Sequence, residues 1–293
     1  MKRSKSCTAF NIFNYTLLTC VALVFLLPFW HVLMSSFSDP DMLSRHSGFV
    51  LLPLGGGSFD GYRRVLGSGI IMTGYMNTII YAVSGTLIGA LGTIAAAYVL
   101  SRENFRPRKV LNALIMFTFV FNAGLTPSYI IVRQLGWIHT RLAMIIPGCM
   151  SAIFIALLRN ATQSLPRSFE ESAKLDGASD IAVLFKVVLP LVGETAVAVV
   201  LMIFVSQWNN WFNARIYLGI NSLYPLHLIL YDYLIQSNSV KIFETPGYEV
   251  RNFPYGMRTV HCLAVLTALP LFAVAPALRK FFILGVRVGS LKG

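Results

Sequence analysis

Six long apolar stretches determine what this chain can fold into. Each is close to or longer than the roughly 20 residues with which a helix crosses about 30 Å of hydrocarbon. A helix also satisfies its own backbone hydrogen bonds where no water is available. The stretches cover about 11–37, 73–100, 110–132, 141–159, 187–212 and 259–283. Together with 56% apolar residues, they predict an all-α polytopic membrane protein with six transmembrane helices.

The first stretch begins after Lys2, Arg3 and Lys5, a charge pattern that secretory signal peptides share. Its apolar run is too long for a signal peptide, and no Ala-x-Ala-like cleavage site precedes the loop that opens at Ser38. A membrane anchor is therefore the better interpretation.

The chain is strongly basic, with a formal net charge of +12. If the N-terminus is inside, the six stretches place 15 of the 24 lysines and arginines on the inner side and 9 on the outer side. This bias follows the positive-inside rule and predicts that both termini are cytoplasmic. Because topology accounts for most of the basic charge, no nucleic-acid partner is expected.

No pattern of catalytic or metal-binding residues appears in the sequence. The cysteines are scattered, suggest neither a disulfide framework nor a metal site, and are interpreted as packing residues; they are Cys7, Cys20, Cys149 and Cys262. The histidines lack metal-ligand spacing, and phosphate-loop, H-E-x-x-H and G-x-S-x-G motifs are absent. We therefore expect no catalytic, cofactor or metal site on this chain, so any ATP that is used must bind to another chain.

Small residues in the second stretch favour close helix packing. Gly85 and Gly89 form a G-x-x-x-G pair, with Gly92 and Ala96 nearby, and this spacing lets two helix backbones approach closely. A hinge is the alternative. The tryptophans lie near predicted span ends, where indole rings settle at the membrane interface; they are Trp30, Trp137, Trp208 and Trp211.

The inner loop at 160–186 contains an unusually polar segment, EESAKLDGASD, in a chain that is only 12% charged. Ser168 and Glu171 have the S-x-x-E spacing of a capping box, which predicts a helix that begins at Ser168. On that helix Glu170 and Lys174 stand four residues apart, at the spacing of an ion pair.

The end of this predicted helix carries a bend signal. Asp176 would oppose the dipole at a helix C-terminus, so we expect it to cap a second helix or to meet a basic group. Gly177 can adopt a left-handed conformation and so permits a bend. The pattern predicts a helix, a glycine bend and a second helix, with Pro190 near the entry of the fifth span. A merely solvated charged surface is the simpler alternative.

The residues from Glu171 to Pro190 resemble the E-A-A-x-x-x-G-x9-I-x-L-P signature of ABC importer permeases. Ser172 replaces the middle alanine and Val187 replaces the isoleucine. Segments 122–148, 207–218 and 281–293 resemble the carbohydrate-uptake branch, in particular the subgroup that imports acidic oligosaccharides such as alginate. Glu194 is a departure, since this subgroup commonly has proline near that position.

The resemblance implies one transmembrane domain over 1–293, a translocation subunit of the bacterial inner membrane that is not itself an enzyme. It also implies two ATPase subunits that hold ATP and Mg²⁺, a second permease subunit of a different chain, and an external solute-binding protein that delivers an oligosaccharide. A homodimeric permease pair stays open. The residues that this resemblance assigns to ATPase coupling are Glu171, Ser172, Ala173, Asp176, Gly177, Leu189 and Pro190.

Amides and indoles at the outer end of the fifth span suit sugar hydroxyls and ring faces. The candidates for a substrate pathway are Gln207, Trp208, Asn209 and Trp211. Interfacial anchoring is the alternative for this segment. An anionic sugar would also favour guanidinium groups, for which Arg133, Arg141 and Arg215 are candidates.

Glu194 has two interpretations, a favourable position near a helix N-terminus and a gating or ion-pairing role. At the level of the whole chain, the alternatives to an oligosaccharide importer are a permease for a neutral sugar or a peptide, a polytopic membrane enzyme, and a structural membrane protein. Paired carboxylates or histidines at membrane depth would indicate an enzyme, and only Glu194 qualifies. A structural protein would have no need for the spacing of the polar loop.

Overall fold

The computed structural model describes residues 5–121, 123–238 and 257–290, and the side chains of 10–121, 123–235 and 258–276. Every regular element in these ranges is helical. The sequence-based prediction of an all-α chain is confirmed for this part of the protein. The C-terminal segment 281–293, which contributed to the resemblance, lies outside the described side chains.

The α-helices are numbered in chain order. They are α1 (Lys5–Phe37), α2 (Pro40–Arg45), α3 (Asp60–Gly67), α4 (Gly69–Ser101), α5 (Arg108–Val120), α6 (Leu125–Gln134), α7 (Leu142–Ile145), α8 (Ala152–Gln163), α9 (Ser168–Leu175), α10 (Asp180–Val183), α11 (Leu189–Leu191), α12 (Gly193–Trp208), α13 (Trp211–Tyr217), α14 (Leu226–Asn238) and α15 (Met257–Ser290). A π-helical turn, Leu184–Val188, joins α10 to α11, and a 3-10 turn, Asn221–Leu223, precedes α14.

Three helices are long and apolar enough to cross a membrane: α1, α4 and α15, over Phe10–Phe37, Gly69–Ser101 and Arg258–Pro276. They coincide with the first, second and sixth predicted stretches. Among the described residues the count rises to five if each of two bent pairs is one span. These pairs are α5 with α6, at 117°, and Asp180–Leu191 with α12, at 91°.

Three predicted spans are not continuous helices. In the third, α5 ends at Val120 and α6 begins at Leu125, with a bend of 117° between them. In the fourth, α7 ends at Ile145 and α8 begins only at Ala152, because Pro147 and Gly148, with φ at +77°, interrupt the helix. At 12 residues, α8 is about 18 Å long at 1.5 Å per residue and is too short to span alone. In the fifth, the axis turns between Leu191 and Gly193, so that 187–191 belong to the arm before the bend.

Contacts within the chain divide it into two compact units, Met1–Ile71 with Leu230–Leu269 and Met72–Ile229 with Pro270–Gly293. In the first unit, side chains of α1 hold the loop that follows α2. The Trp30 indole donates to the Leu51 carbonyl at 2.9 Å, and the Val50 amide donates to Nδ1 of His31 at 2.9 Å. Trp30 therefore orders a loop as well as fulfilling any interfacial role.

In the second unit, the glycines of α4 lie against neighbouring segments. A Cβ on Gly85 would meet the Gln207 side chain at 2.8 Å, and one on Gly89 would meet the Cys149 carbonyl oxygen at 2.2 Å. A Cβ on Gly92 would approach Sδ of Met150 to 2.6 Å. The prediction that these glycines allow close packing is confirmed. The buried core beside them comprises Ala90, Ala97, Leu158, Val192, Ala196, Val199 and Ile203.

The cysteines divide by burial. Cys149 and Cys262 are buried, as expected of packing residues, and the Cys262 thiol lies 3.4 Å from the Ser36 carbonyl oxygen. Cys20 is exposed on α1, so the packing interpretation is wrong for it within this chain. The side chain of Cys7 lies outside the described residues.

Candidate functional site: the polar inner loop

Helix α9 begins at Ser168, as predicted, but not through a capping box. Arg167 already has helical dihedral angles, with φ at −64°, and its carbonyl accepts the amides of Glu170 and Glu171. No side chain caps this helix end. An N-cap residue needs an extended backbone for its side chain to reach back to the first turn. Ser168 lies one position inside the helix, so the predicted pairing with Glu171 is wrong.

Helix α9 ends in a Schellman motif. The Ala178 amide donates to the Ala173 carbonyl at 3.0 Å, and the Gly177 amide donates to the Lys174 carbonyl at 3.0 Å. Gly177 has φ at +82°, so the predicted left-handed glycine bend is confirmed. Asp176 is the last residue before this bend, and its side chain is exposed.

The second helix is capped by a residue other than the one predicted. Oγ of Ser179 accepts the amide of Ala182 at 3.3 Å, and Ser179 has the extended backbone of an N-cap, with ψ at 158°. The expectation that Asp176 caps this helix is wrong. Asp176 lies four residues before the first residue of α10, on the far side of the glycine bend, where it cannot serve as the N-cap.

The charged side chains of the loop pair across elements. Glu170 pairs with Arg102, which follows α4, and Lys174 pairs with Asp180 at 2.9 Å. The expected pair between Glu170 and Lys174 therefore gives way to two longer-range pairs. The hydrogen bond from Lys174, and then its charge, lower the pKa of the Asp180 carboxyl below its ordinary value.

Arg102 could not be identified from the sequence, because 68 residues separate it from Glu170 in the chain. The available signal was the basic turn 101–109, a second inner segment with charges complementary to the polar loop. That turn contributes another ion pair, between Glu103 and Arg167. The two inner segments therefore form one ordered surface. A groove of about 440 Å³ lies beside α9 in this surface, with Arg102, Asn104 and Gln163 among its lining residues.

We call α9 the first arm of the loop and the segment Asp180–Leu191, which follows the glycine bend, the second arm. The second arm packs into the interior of the chain. Val183, Leu184 and Val188 are buried together with Tyr98 of α4. Leu189 packs against the core of the second unit, whereas Pro190 is exposed. Pro190 lies before the 91° bend, so it does not begin α12.

The outward surface of the loop combines polar and apolar side chains. Leu175 is 89% exposed and Ile181 is 72% exposed, at the end of α9 and in α10 respectively. Glu171 and Ser172 are also exposed, whereas Ala173 is half-buried. Large apolar side chains on an ordered polar loop are typical of a protein-binding surface.

The predicted pathway residues divide into interior and surface positions. Gln207 is 4% exposed and Trp208 is 3% exposed; the Trp208 ring lies 6.2 Å from Tyr75 and 6.3 Å from His227. Asn209 is exposed and its Nδ2 donates to the Val205 carbonyl at 3.0 Å.

Trp211 is half-buried, with its ring 5.8 Å from that of Phe212. The candidate arginines Arg133, Arg141 and Arg215 are exposed.

Glu194 is exposed in the first turn of α12, where the helix dipole stabilises a carboxylate. No group of three potential metal ligands occurs among the described residues.

Comparison with known proteins identifies the family. Residues 88–288 match the family described as binding-protein-dependent transport system inner membrane component. Protein LplC of Bacillus subtilis is 30% identical over 294 residues, which cover 100% of this chain and 98% of LplC. The polygalacturonan/rhamnogalacturonan transport system permease protein YtcP of the same organism is 30% identical over 97% of this chain and 98% of its own length.

A solved structure is also similar over almost the whole chain. It is a chain of a bacterial ABC transporter involved in the import of the acidic polysaccharide alginate, with a TM-score of 0.83 and 31% identity. The similarity covers 96% of this chain and 99% of that one. This chain therefore belongs to the inner-membrane components of binding-protein-dependent transport systems and is a sugar ABC transporter permease of the bacterial cytoplasmic membrane, a transport subunit in a family without catalytic activity of its own.

Proposed function

We propose that this permease moves an oligosaccharide of the acidic, alginate type inward, driven by ATP hydrolysis on separate ATPase subunits. The similarity to the alginate importer supports the substrate class. One observation carries the coupling to ATP: the polar inner loop is an ordered helix, bend and helix with Leu175 and Ile181 exposed on its surface. Such a surface fits a complementary groove on a soluble partner.

The seven predicted coupling residues have two kinds of position in this proposal. Ala173 and Leu189 pack inward and hold the two arms on the membrane helices. The others are exposed and contact the ATPase or shape the contact; they are Glu171, Ser172, Asp176, Gly177 and Pro190. Gly177 sets the angle between the arms, and the exposed carboxylates of Glu171 and Asp176 are available to basic groups of the ATPase.

The assembly that this role requires contains several chains. A second permease of a different chain completes the transmembrane pair, two ATPase subunits hold ATP and Mg²⁺, and an external solute-binding protein delivers the sugar. In this assembly residues 1–293 form one transmembrane domain with six crossings and both termini cytoplasmic. The excess of basic residues on the inner segments supports this orientation.

The sugar pathway is proposed to involve the outer end of α12. Asn209 and Trp211 have surface positions from which an amide and an indole can contact sugar hydroxyls and ring faces. Gln207 and Trp208 belong to the same proposed pathway and lie behind them, buried within this chain. An acidic sugar is also attracted by the exposed guanidinium groups of Arg133, Arg141 and Arg215.

The test is reconstitution of this chain with its ATPase, second permease and solute-binding protein in liposomes. ATPase activity is measured with alginate oligosaccharides, other acidic oligosaccharides, neutral oligosaccharides and peptides. Acidic oligosaccharides are expected to stimulate hydrolysis most strongly. If only neutral sugars or only peptides stimulate hydrolysis, the proposal of an acidic substrate is wrong. If no saccharide stimulates hydrolysis, the assignment as a sugar importer is contradicted. The mass of the purified complex decides between one permease chain and two.

A further inference from the structure

The end of α4, with Arg102 directly after it, contacts both arms of the polar inner loop. The guanidinium carbon of Arg102 lies 4.0 Å from the centroid of the Tyr98 ring, and the same guanidinium pairs with Glu170 of α9. The Tyr98 hydroxyl donates to the Asp180 carbonyl at the start of α10, at 3.1 Å. We call Tyr98, Arg102 and Glu170 the α4 clamp.

The α4 clamp is better shielded from water than the other ion pairs of the loop. The Arg102 and Glu170 side chains are 22% and 17% exposed, and Tyr98 is 7% exposed. In the pair between Arg167 and Glu103, the side chains are 65% and 56% exposed. Exposed pairs contribute little because water and salt screen them, whereas a shielded pair held over an aromatic ring retains its attraction and its geometry.

Apolar packing reinforces the same contact. Tyr98 is buried with Val183, Leu184 and Val188 of the second arm, and Ala173 of the first arm packs against this cluster. The two arms therefore cannot shift far without the end of α4. The chain itself continues from the second arm into α12, through the bend at 192, and makes no such direct link to α4.

We propose that the α4 clamp passes movement of the polar inner loop to α4, so that α4 and α12 move together when the ATPase subunits close. Arg102, Glu170 and Tyr98 are thus positioning residues, and none of them is assigned to contact with ATP or sugar. Contacts farther along α4 fit this role, because Gly85 and Gly89 pack against Gln207 and Ile203 of α12. The inference rests on the proposed coupling of this loop to an ATPase.

The test compares charge variants in the reconstituted complex, with transport per ATP hydrolysed as the readout. R102Q and E170Q are expected to assemble with the ATPase and to keep its basal hydrolysis, but to lower transport per ATP by about tenfold. The reversed pair R102E/E170R is expected to recover at least part of the loss, since the attraction is restored. Y98F removes the hydrogen bond to the Asp180 carbonyl and keeps the ring, so a smaller loss is expected.

The matched controls are R167Q and E103Q, which remove the exposed ion pair beside the α4 clamp. They are expected to change transport per ATP by less than about twofold, because exposed pairs contribute little. If a single clamp variant does not assemble, R102Q/E170Q decides, because it leaves no unpaired shielded charge. That double variant is expected to assemble and stay uncoupled.

Normal transport per ATP in R102Q/E170Q, or an equal loss in the control and clamp variants, would show that the α4 clamp does not pass movement to α4. A failure of the proposed function would be seen in a different measurement. In that case the unmodified complex itself shows no saccharide-stimulated ATPase activity.

Discussion

Gly177 is the residue on which the shape of the polar inner loop depends most directly. Its φ is +82°, and no atom lies within 4 Å of the Cβ that a substitution would add. A side chain there therefore meets no clash, and its cost comes from the left-handed backbone, about 1–2 kcal/mol for most residues. Valine is among the least suited to this conformation, and asparagine is better tolerated.

We predict that G177V changes the angle between the two arms and uncouples transport from ATP hydrolysis while assembly with the ATPase persists. G177N should keep most of the transport, because asparagine adopts the required conformation more readily. Uptake and ATPase activity of reconstituted complexes are the measurements. Normal uptake by G177V would count against the coupling assignment.

The glycines of the chain differ in what a methyl group would cost. An added Cβ at Gly89 would lie 2.2 Å from the Cys149 carbonyl oxygen, so the backbones must separate, whereas Gly193 has no neighbour within 4 Å and no positive φ. We predict that G89A lowers stability by about 1–3 kcal/mol, the usual cost of overpacking. G193A should stay within about 0.5 kcal/mol of the natural protein. Thermal unfolding in detergent compares the two, and equal midpoints would contradict the packing described for α4.

At the scale of elements, two serines that look alike in sequence have different roles. Ser179 caps α10 with its hydroxyl, whereas Ser168 lies within α9 and caps nothing. We predict that S179A costs about 1 kcal/mol through the lost cap, and that S168A costs much less. Hydrogen exchange of the Ala182 amide is the local measurement. Equal protection of this amide in both variants would show that the cap is not formed.

The sequence predicted the elements of the polar inner loop better than their partners. The start at Ser168 and the bend at Gly177 were both predicted from local patterns, and the bend follows from the left-handed conformation that glycine allows. The capping box failed because Arg167 had already entered the helical conformation. The pairing of Glu170 with Arg102 depends on two distant segments meeting, which no local pattern encodes.

The membrane helices show the same division between local and long-range information. Apolar length was sufficient for α1, α4 and α15, which are continuous. It failed in the third and fifth stretches, which are bent by 117° and 91°, and in the fourth, where Pro147 and Gly148 break the helix inside an apolar run. The burial of Gln207 and Trp208 could not be predicted from the sequence either, because amide and indole groups suit both a sugar site and a helix interface.

At the scale of the whole molecule, much of the apolar surface is not covered by other parts of the chain. An apolar stretch of 18 residues in α1 contains no residue that is buried within the chain. A surface of this kind requires lipid or a second permease against it. The exposed Leu175 belongs to a different surface, because it lies on the polar inner loop.

The proposed orientation leads to a labelling prediction. Leu175 is 89% exposed on the polar inner loop, and Leu52 is 74% exposed in the segment after α2. We predict that L175C reacts with a membrane-impermeant thiol reagent only from the cytoplasmic side, and that the ATPase protects it. L52C should react only from the outside, with or without the ATPase. Labelling is measured above that of the natural cysteines, and reaction of L175C from the outside would reverse the topology.

The π-helical turn at Leu184–Val188 limits which insertions and deletions the chain tolerates. A π-helical turn holds more residues than an α-helical turn, and each residue added to or removed from a helix rotates the rest of that helix by about 100°. Loss of one residue here would therefore rotate Ile181 about the helix axis relative to α12, even if no remaining residue were substituted. Natural variation between Gly177 and Pro190 is therefore expected to replace residues without changing their number.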